Sequence, residues 1–266
     1  MNIHIDTYKF NHIMQKTYIY GIYEFGSCTY GLADNKSDKD YLVIYAPFES
    51  EVFSPFVNHH QYQYKDVDNN IDYVLMNLNT YIKNIVNGDS VINYEILYNE
   101  TFKRELFFKI FSDNVNKFKT YNIVKAYLGM AKRDLKYLVK RKTNHDYKRG
   151  LLHIFRSLSF AEMILNDNFN LKNDEIINFK KILDEEYDNL DKSKQMLIKE
   201  NFVESEKKLR CLVTDLMQKK QIPRYLDVSF QKEITEHVIK YNNYTKTDFS
   251  LYEIYETNEN VEIKYE

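Results

Sequence analysis

Tryptophan is absent from this 266-residue chain, proline occurs three times, glycine six times and cysteine twice. Each scarcity excludes something. Cys28 and Cys211 stand far apart and show neither a Cys-x-x-Cys nor a Cys/His spacing, so no disulfide framework and no zinc site is expected, and the chain suits a reducing compartment. No apolar run approaches the ~20 residues a membrane-spanning helix needs. The opening Met1-Asn2-Ile3-His4-Ile5-Asp6 has neither the charged start nor the apolar core of a secretory signal. The expectation is a cytoplasmic protein with no membrane association. Few prolines and no tryptophan beside abundant Lys, Asn, Tyr and Ile point to an AT-rich genome, that of a low-GC bacterium or of a virus or phage acting in its host's cytoplasm.

Charge of either sign is not lacking, but it is unevenly placed. The net charge of −2 hides a basic middle: Lys125, Lys132, Arg133, Lys136, Lys140, Arg141, Lys142, Lys148, Arg149 and Arg156, opposed only by Asp134 and Asp146. The last segment is acidic, with Glu253, Glu256, Glu259, Glu262 and Glu266. A basic middle suits a polyanion, either a triphosphate or nucleic acid.

The length allows one large domain or two modest ones, and the patterning favours two. Up to about Glu100, short β-rich runs alternate with turns, and Thr17–Phe25, Asp40–Tyr45 and Ile71–Met76 read as core strands before Tyr81–Val86 turns helical. After Thr101 glycine nearly vanishes and helical periodicity takes over, with helices expected over Val124–Arg141, Tyr147–Leu165, Asp174–Tyr187 and Lys192–Lys219, and Pro223 punctuating the series. The expected fold class is α+β: an N-terminal α/β domain around a small mixed sheet over 1–115, an all-α helical domain over 116–245, and an acidic tail or added strand over 246–266.

The chemistry concentrates in Gly26-Ser27-Cys28-Thr29-Tyr30-Gly31-Leu32 and Ser37-Asp38-Lys39-Asp40. Side chains two apart on a strand share a face, so Asp38 and Asp40 project together. Adjacent carboxylates repel unless a cation lies between them, and hard oxygen ligands of this kind suit Mg²⁺ or Mn²⁺. Gly26 lets the backbone approach an anion, and its neighbouring N–H groups and the Ser27 hydroxyl can donate to phosphate oxygens. Either element alone is a common turn or loop.

Together and in this order they resemble the signature of the DNA polymerase β-type nucleotidyltransferase superfamily. The nearer resemblance is to the nucleotidyltransferases that accompany RNA-ligase repair operons, whose pattern Gly-Ser-x-x-Tyr-Gly-Leu … Ser-Asp-x-Asp is met by Gly26, Ser27, Tyr30, Gly31, Leu32, Ser37, Asp38 and Asp40. The superfamily needs a third carboxylate on a neighbouring strand. Ile71-Asp72-Tyr73-Val74-Leu75 favours Asp72, while Asp66 and Asp68 lie in a more polar stretch nearby. Asn87-Gly88-Asp89-Ser90 and Asn93-Tyr94-Glu95-Ile96-Leu97 are similar to the family's Gly-Asn-Pro-Asn … Glu-Leu-Leu segment without its proline.

Tyr147–Arg156 resembles a second family motif, Lys … His-x-x-Arg, carried here by Lys148, His153 and Arg156. On a helix, Leu151, Ile154, Leu158, Ala161 and Leu165 share one face, and Lys148, Arg149, His153 and Arg156 occupy the opposite arc. Helical spacing alone reads that arc as a solvated face; the resemblance turns Lys148, His153 and Arg156, but not Arg149 or His145, toward the nucleotide. Ile222-Pro223-Arg224-Tyr225-Leu226-Asp227 is similar to the family's Leu-Pro-Glu-x-Pro-Asp turn, so the likeness runs from about Ile19 to Asp227. His59-His60 reads as a surface pair, and Tyr62, Tyr64 and Tyr73, three of 24 tyrosines, read chiefly as packing residues, with base stacking the alternative.

What the resemblance implies is transfer of a nucleoside monophosphate from an NTP to an acceptor hydroxyl. Asp38, Asp40 and Asp72 would hold Mg²⁺ or Mn²⁺, Gly26 and Ser27 would grip the outer phosphates, Lys148 and Arg156 would neutralise the leaving charge, and His153 would orient base, sugar or acceptor. The acceptor is left open among an RNA end, DNA, a protein hydroxyl and a small molecule. A catalytically idle nucleotide- or RNA-binding module and the antidote half of a toxin system are the rival readings.

Overall fold

The computed structural model describes residues 3–34, 37–53, 61–138, 140–141 and 143–252, with the side chains of 53 and 242–252 excepted. His59, His60, Lys142 and the acidic stretch beyond Tyr252 lie outside the described residues. The chain divides into two compact units, Met1–Leu226 and Asp227–Glu266.

Five strands make one mixed sheet: β1 (Ile3–His4), β2 (Ile19–Phe25), β3 (Lys39–Tyr45), β4 (Gln61–Asp66) and β5 (Ile71–Asn77), in the order β1-β4-β5-β3-β2. The central pair β3 and β5 run parallel, β2 and β4 flank them antiparallel, and β1 adds to β4 in parallel. The strands expected at β2, β3 and β5 are present within two residues. Neither β1 nor β4 was expected, because two residues carry no alternation and Gln61-Tyr62-Gln63-Tyr64-Lys65-Asp66 buries only Tyr62.

One sheet face is covered by α1 (Thr7–Lys16), which starts where the Asp6 carboxylate accepts from the Lys9 N–H at 2.8 Å. Phe10, Ile13 and Met14 form its apolar stripe, and they pack with Val43, Tyr45, Tyr62 and Leu75. Beside this core, α2 (Glu49–Phe53) supplies Glu51, which accepts from the Tyr45 and Tyr62 hydroxyls at 2.9 and 3.2 Å and so satisfies two phenols that point inward.

Alternation sends Leu42, Ile44, Val74 and Met76 to the other face, together with Asp40 and Asp72. The helices α3 (Leu78–Asn87), α4 (Val91–Ile96), α5 (Glu100–Arg104) and α6 (Lys109–Ser112) follow. Gly88, at φ 68°, ends α3 in the left-handed conformation that favours glycine. Tyr23, Tyr81, Phe102, Phe108 and Phe111 fill the layer, with ring centroids 4.4 Å apart for Phe102 and Phe108 and 5.2 Å for Tyr23 and Phe102. Rings that bury about 150–250 Å² each make this aromatic layer a principal source of stability.

The rest of the first unit is helical: α7 (Tyr121–Leu138) packs along α8 (Asn144–Leu165), and α9 (Asp174–Glu185) and α10 (Lys192–Gln218) complete it. The architecture is thus the expected α+β arrangement, a mixed sheet followed by a helical region. Helix α8 is buried around more of its circumference than a two-sided pattern implies, since Ser157, Phe160, Met163 and Ile164 are enclosed along with Leu151, Ile154, Leu158 and Ala161. In the second unit, Asp227 caps α11 (Val228–Tyr252) by accepting from the Ser229 and Phe230 N–H groups. Among the described residues no helix is long and apolar enough to cross a membrane.

Candidate active site

The parallel register of the central strands sets Asp40 directly beside Asp72, each the second residue of its strand. Asp38 precedes β3 by one residue, and extended spacing returns its side chain to the same side. One carboxylate oxygen from each of Asp38, Asp40 and Asp72 lies within 4.8 Å of the other two. Asp68, the other candidate for third acid, is exposed in the turn before β5 and takes no part in that cluster.

Three negative groups this close cost energy, and the cost falls on Asp40. Burial, then the charges of Asp38 and Asp72, push its carboxyl up to about 6, against the opposing pull of Arg149 and Lys65. Lys65 is opposite Asp72 on β4 and reaches its carboxylate at 3.2 Å. All three acids are half-buried and offer hard oxygen donors on one side of the sheet, a set that fits a divalent cation such as Mg²⁺ or Mn²⁺.

Gly26 follows β2, whose last residue Phe25 pairs with Asp40. Its φ is +76°, and a Cβ built there would overlap Asp40 Oδ2 and lie 3.1 Å from its Cγ. Glycine is therefore required both by conformation and by the closeness of the carboxylate. The turn beyond it is tight: the Gly26 carbonyl accepts from the Thr29 N–H at 3.1 Å and the Thr29 hydroxyl at 2.9 Å, and the Leu32 N–H donates to the Ser27 carbonyl at 2.9 Å. Ser37, before Asp38, holds its loop by accepting from the Asp34 N–H and donating to the Asp34 carboxylate. Burial, with Glu24 and Asp40, pushes the Cys28 thiol up, which keeps it protonated.

Behind the turn lies a buried polar group in which only Arg156 carried an expected role, at the nucleotide. Tyr30 donates to Glu95 Oε2, Tyr127 donates to Glu95 Oε1 at 3.0 Å, and the Arg156 guanidinium lies 4.4 Å over the Tyr30 ring. Tyr30, Glu95 and Tyr127 are no more than 3% exposed. Burial pushes the Glu95 carboxyl up, while Arg156 and the two phenols stabilise its charged form. The family-like segment around Asn93-Tyr94-Glu95 was the available signal.

The expected residues of α8 separate. Lys148 pairs with Asp188 at 2.7 Å, its side chain only 15% exposed, and together with Asn144 it holds Asp188 below the usual carboxylate range. Arg156 faces Tyr30. Burial and the charges of Arg156, Arg149, Arg141 and Arg133 push His153 down to about 3, so at neutral pH it offers a hydrogen bond and no charge. Arg149, excluded by the motif, is the α8 cation whose field reaches Asp40.

No protein-family model and no curated protein matches the chain. Among solved structures it is similar to a nucleotidyltransferase-like protein from Exiguobacterium sibiricum 255-15, at 10% identity and a TM-score of 0.29 over 79% of this chain and 73% of that one. The chemistry of the chain is therefore read from its own carboxylates.

Proposed function

We propose that the protein is a metal-dependent nucleotidyltransferase that moves a nucleoside monophosphate from an NTP to an acceptor hydroxyl, an RNA end being one of the candidate acceptors, with release of pyrophosphate. The observation that carries this reading is the gathering of Asp38, Asp40 and Asp72 immediately beside the Gly26–Ser27 turn. The motif resemblance supports it, and the presence of all three carboxylates speaks against an idle binding module.

Asp38, Asp40 and Asp72 would hold Mg²⁺ or Mn²⁺, which when bound supplies charge neutralisation at phosphate oxygens and lowers the pKa of an attacking hydroxyl. The acceptor hydroxyl gives up its proton to solvent as its oxygen attacks the α-phosphorus in line, the bond to the bridging oxygen breaks, and pyrophosphate carries that electron pair away. Gly26 and Ser27 present N–H and O–H donors to the outer phosphates. Neutral His153 orients base, sugar or acceptor by hydrogen bonding. Arg156 supports the turn from behind through Tyr30, and Lys148 reaches a nucleotide by exchanging Asp188 for phosphate.

Incubation of the protein with each α-labelled NTP, Mg²⁺ or Mn²⁺, and total RNA or protein tests the reading. Label should enter one acceptor class from α-labelled but not γ-labelled NTP, and Asp40→Asn should abolish transfer. Label incorporation that survives Asp40→Asn, or none with any NTP and acceptor, overturns it.

A further inference from the structure

Strand β4 sets a cation against the carboxylate cluster. Lys65 lies directly opposite Asp72 in the antiparallel pair β4–β5, and residues opposite each other on paired strands send their side chains to the same face. The Lys65 Nζ is 3.2 Å from Oδ1 of Asp72 and 3.3 Å from Oδ2, so it sits astride the carboxylate. Asp66, the next residue on β4, turns to the other face and accepts from the Asn69 N–H and side-chain amide at 3.1 and 2.8 Å. The side chains of Lys65 and Asp72 are 52% and 37% exposed, so a substrate can reach both. An ion pair this exposed contributes little to stability, which leaves its place in the site to be explained.

A carboxylate offers about four lone-pair sites, so Asp72 can accept from the ammonium and still turn an oxygen to the cluster, within 4.8 Å of oxygens of Asp38 and Asp40. The ammonium has three N–H donors. Two directed at the Asp72 oxygens leave the third for an oxygen outside the protein. Carboxylate clusters can hold a pair of divalent ions, which clamp the attacking and leaving oxygens of an in-line displacement. Here the ammonium offsets one of the three negative charges, and a single divalent ion offsets the rest. In the nucleotide-free protein a second ion would add uncompensated positive charge beside Lys65.

We propose that Lys65 takes the place of a second divalent ion: it holds Asp72 and donates its remaining N–H to an α-phosphate oxygen of the NTP, while the carboxylates themselves bind one ion. This deepens the nucleotidyltransferase reading and rests on it. Lys65 is then a catalytic residue of the transfer, a fixed charge that keeps its protons throughout and meets the negative charge that develops at the reacting phosphate.

Titration of Mn²⁺ into the full chain without nucleotide, with free Mn²⁺ followed by electron paramagnetic resonance, counts bound ions independently of turnover. The wild type should take up one. Lys65→Met keeps the stem and removes the charge; it should bind Mn²⁺ about tenfold more tightly, because a like charge beside the ion is gone, while transfer falls by about 10²-fold. Lys65→Arg keeps charge and donors, and should hold Mn²⁺ within about twofold of wild type and retain more transfer than Lys65→Met. Lys39→Met controls for bulk charge: Lys39 stands between Asp38 and Asp40 in sequence but is exposed on the other face, and its loss should change Mn²⁺ affinity by less than about twofold. A purely structural Lys65 gives the reverse sign, since a loosened Asp72 would bind Mn²⁺ more weakly. Two ions in the wild type, unchanged or weaker Mn²⁺ binding in Lys65→Met, or an equal gain in Lys39→Met overturns the role of Lys65 and leaves the transferase reading standing. Failure of the wild type to bind Mn²⁺ overturns both.

Discussion

Gly26 and Asp40 share one volume: a β-carbon on the first would overlap Oδ2 of the second. Gly26 follows β2 and Asp40 lies on β3, and they meet only because Phe25 pairs with Asp40. Gly26→Ala is therefore expected to act on the metal site without touching a ligand. The positive φ alone costs about 1 kcal/mol, and displacement of the carboxylate adds to it. Mn²⁺ affinity should fall by about tenfold or more while urea denaturation shows a fold still intact. Wild-type Mn²⁺ affinity in Gly26→Ala would mean that Asp40 does not need its present position.

Asp40→Asn separates chemistry from stability. Transfer should drop by about 10²-fold or more, the scale of losing one preorganised electrostatic element. The metal-free protein should at the same time become more stable at neutral pH. Its carboxyl sits at about 6 in the fold, against about 3.9 unfolded. Between those values the native state holds more protons than the unfolded chain, so stability falls as pH rises through that window. Removing the charge should recover about 1 kcal/mol at pH 7, after discounting for solvent screening, and little at pH 4. Urea midpoints at the two pH values check the sign, and equal changes at both would deny the like-charge origin.

For the third carboxylate, Asp72→Asn should reduce turnover and weaken Mn²⁺ binding, because Asp72 is one of the three carboxylates that would share the ion. Asp68→Asn, outside the cluster, should leave both within about twofold. Comparison of kcat with KM in the two variants decides between them; greater damage from Asp68→Asn would move the third ligand.

Local signals made much of this legible. Asp-x-Asp and the Gly-Ser turn are contiguous, and Asp72 stood out because apolar residues follow it, so strand pairing had only to bring β3 and β5 into register. The helices α7 to α10 showed their period within two or three residues of their ends. What stayed hidden depends on partners distant in sequence. Lys65 acquires meaning only opposite Asp72, and β4 hides because one of its faces is polar. Helix α1, with Ile13 fully buried, was masked by the exposed polar residues around its narrow stripe. A cationic arc on α8 looked uniform, yet Lys148 meets Asp188, forty residues on, and Arg156 meets Tyr30, far upstream. No periodicity distinguishes those fates.

The last expectation concerns Arg156, whose role can be separated from nucleotide contact. Glu95 is 3% exposed and takes hydrogen bonds from Tyr30 and Tyr127, so its charge depends on Arg156 for compensation. Arg156 lies over the Tyr30 ring and its field favours the Glu95 carboxylate, so removing either charge leaves the other less compensated, whereas removing both is milder. Arg156→Met should accordingly lower the urea midpoint, Glu95→Gln less so because an amide still bonds both phenols, its oxygen accepting from one and its NH2 donating to the other, and the double variant should recover much of the loss. Since Tyr30 belongs to the turn that starts at Gly26, Mn²⁺ affinity should follow the same order. A direct role at the triphosphate gives the opposite pattern: Arg156→Met would keep its stability and lose NTP affinity alone, and Glu95→Gln would not rescue it.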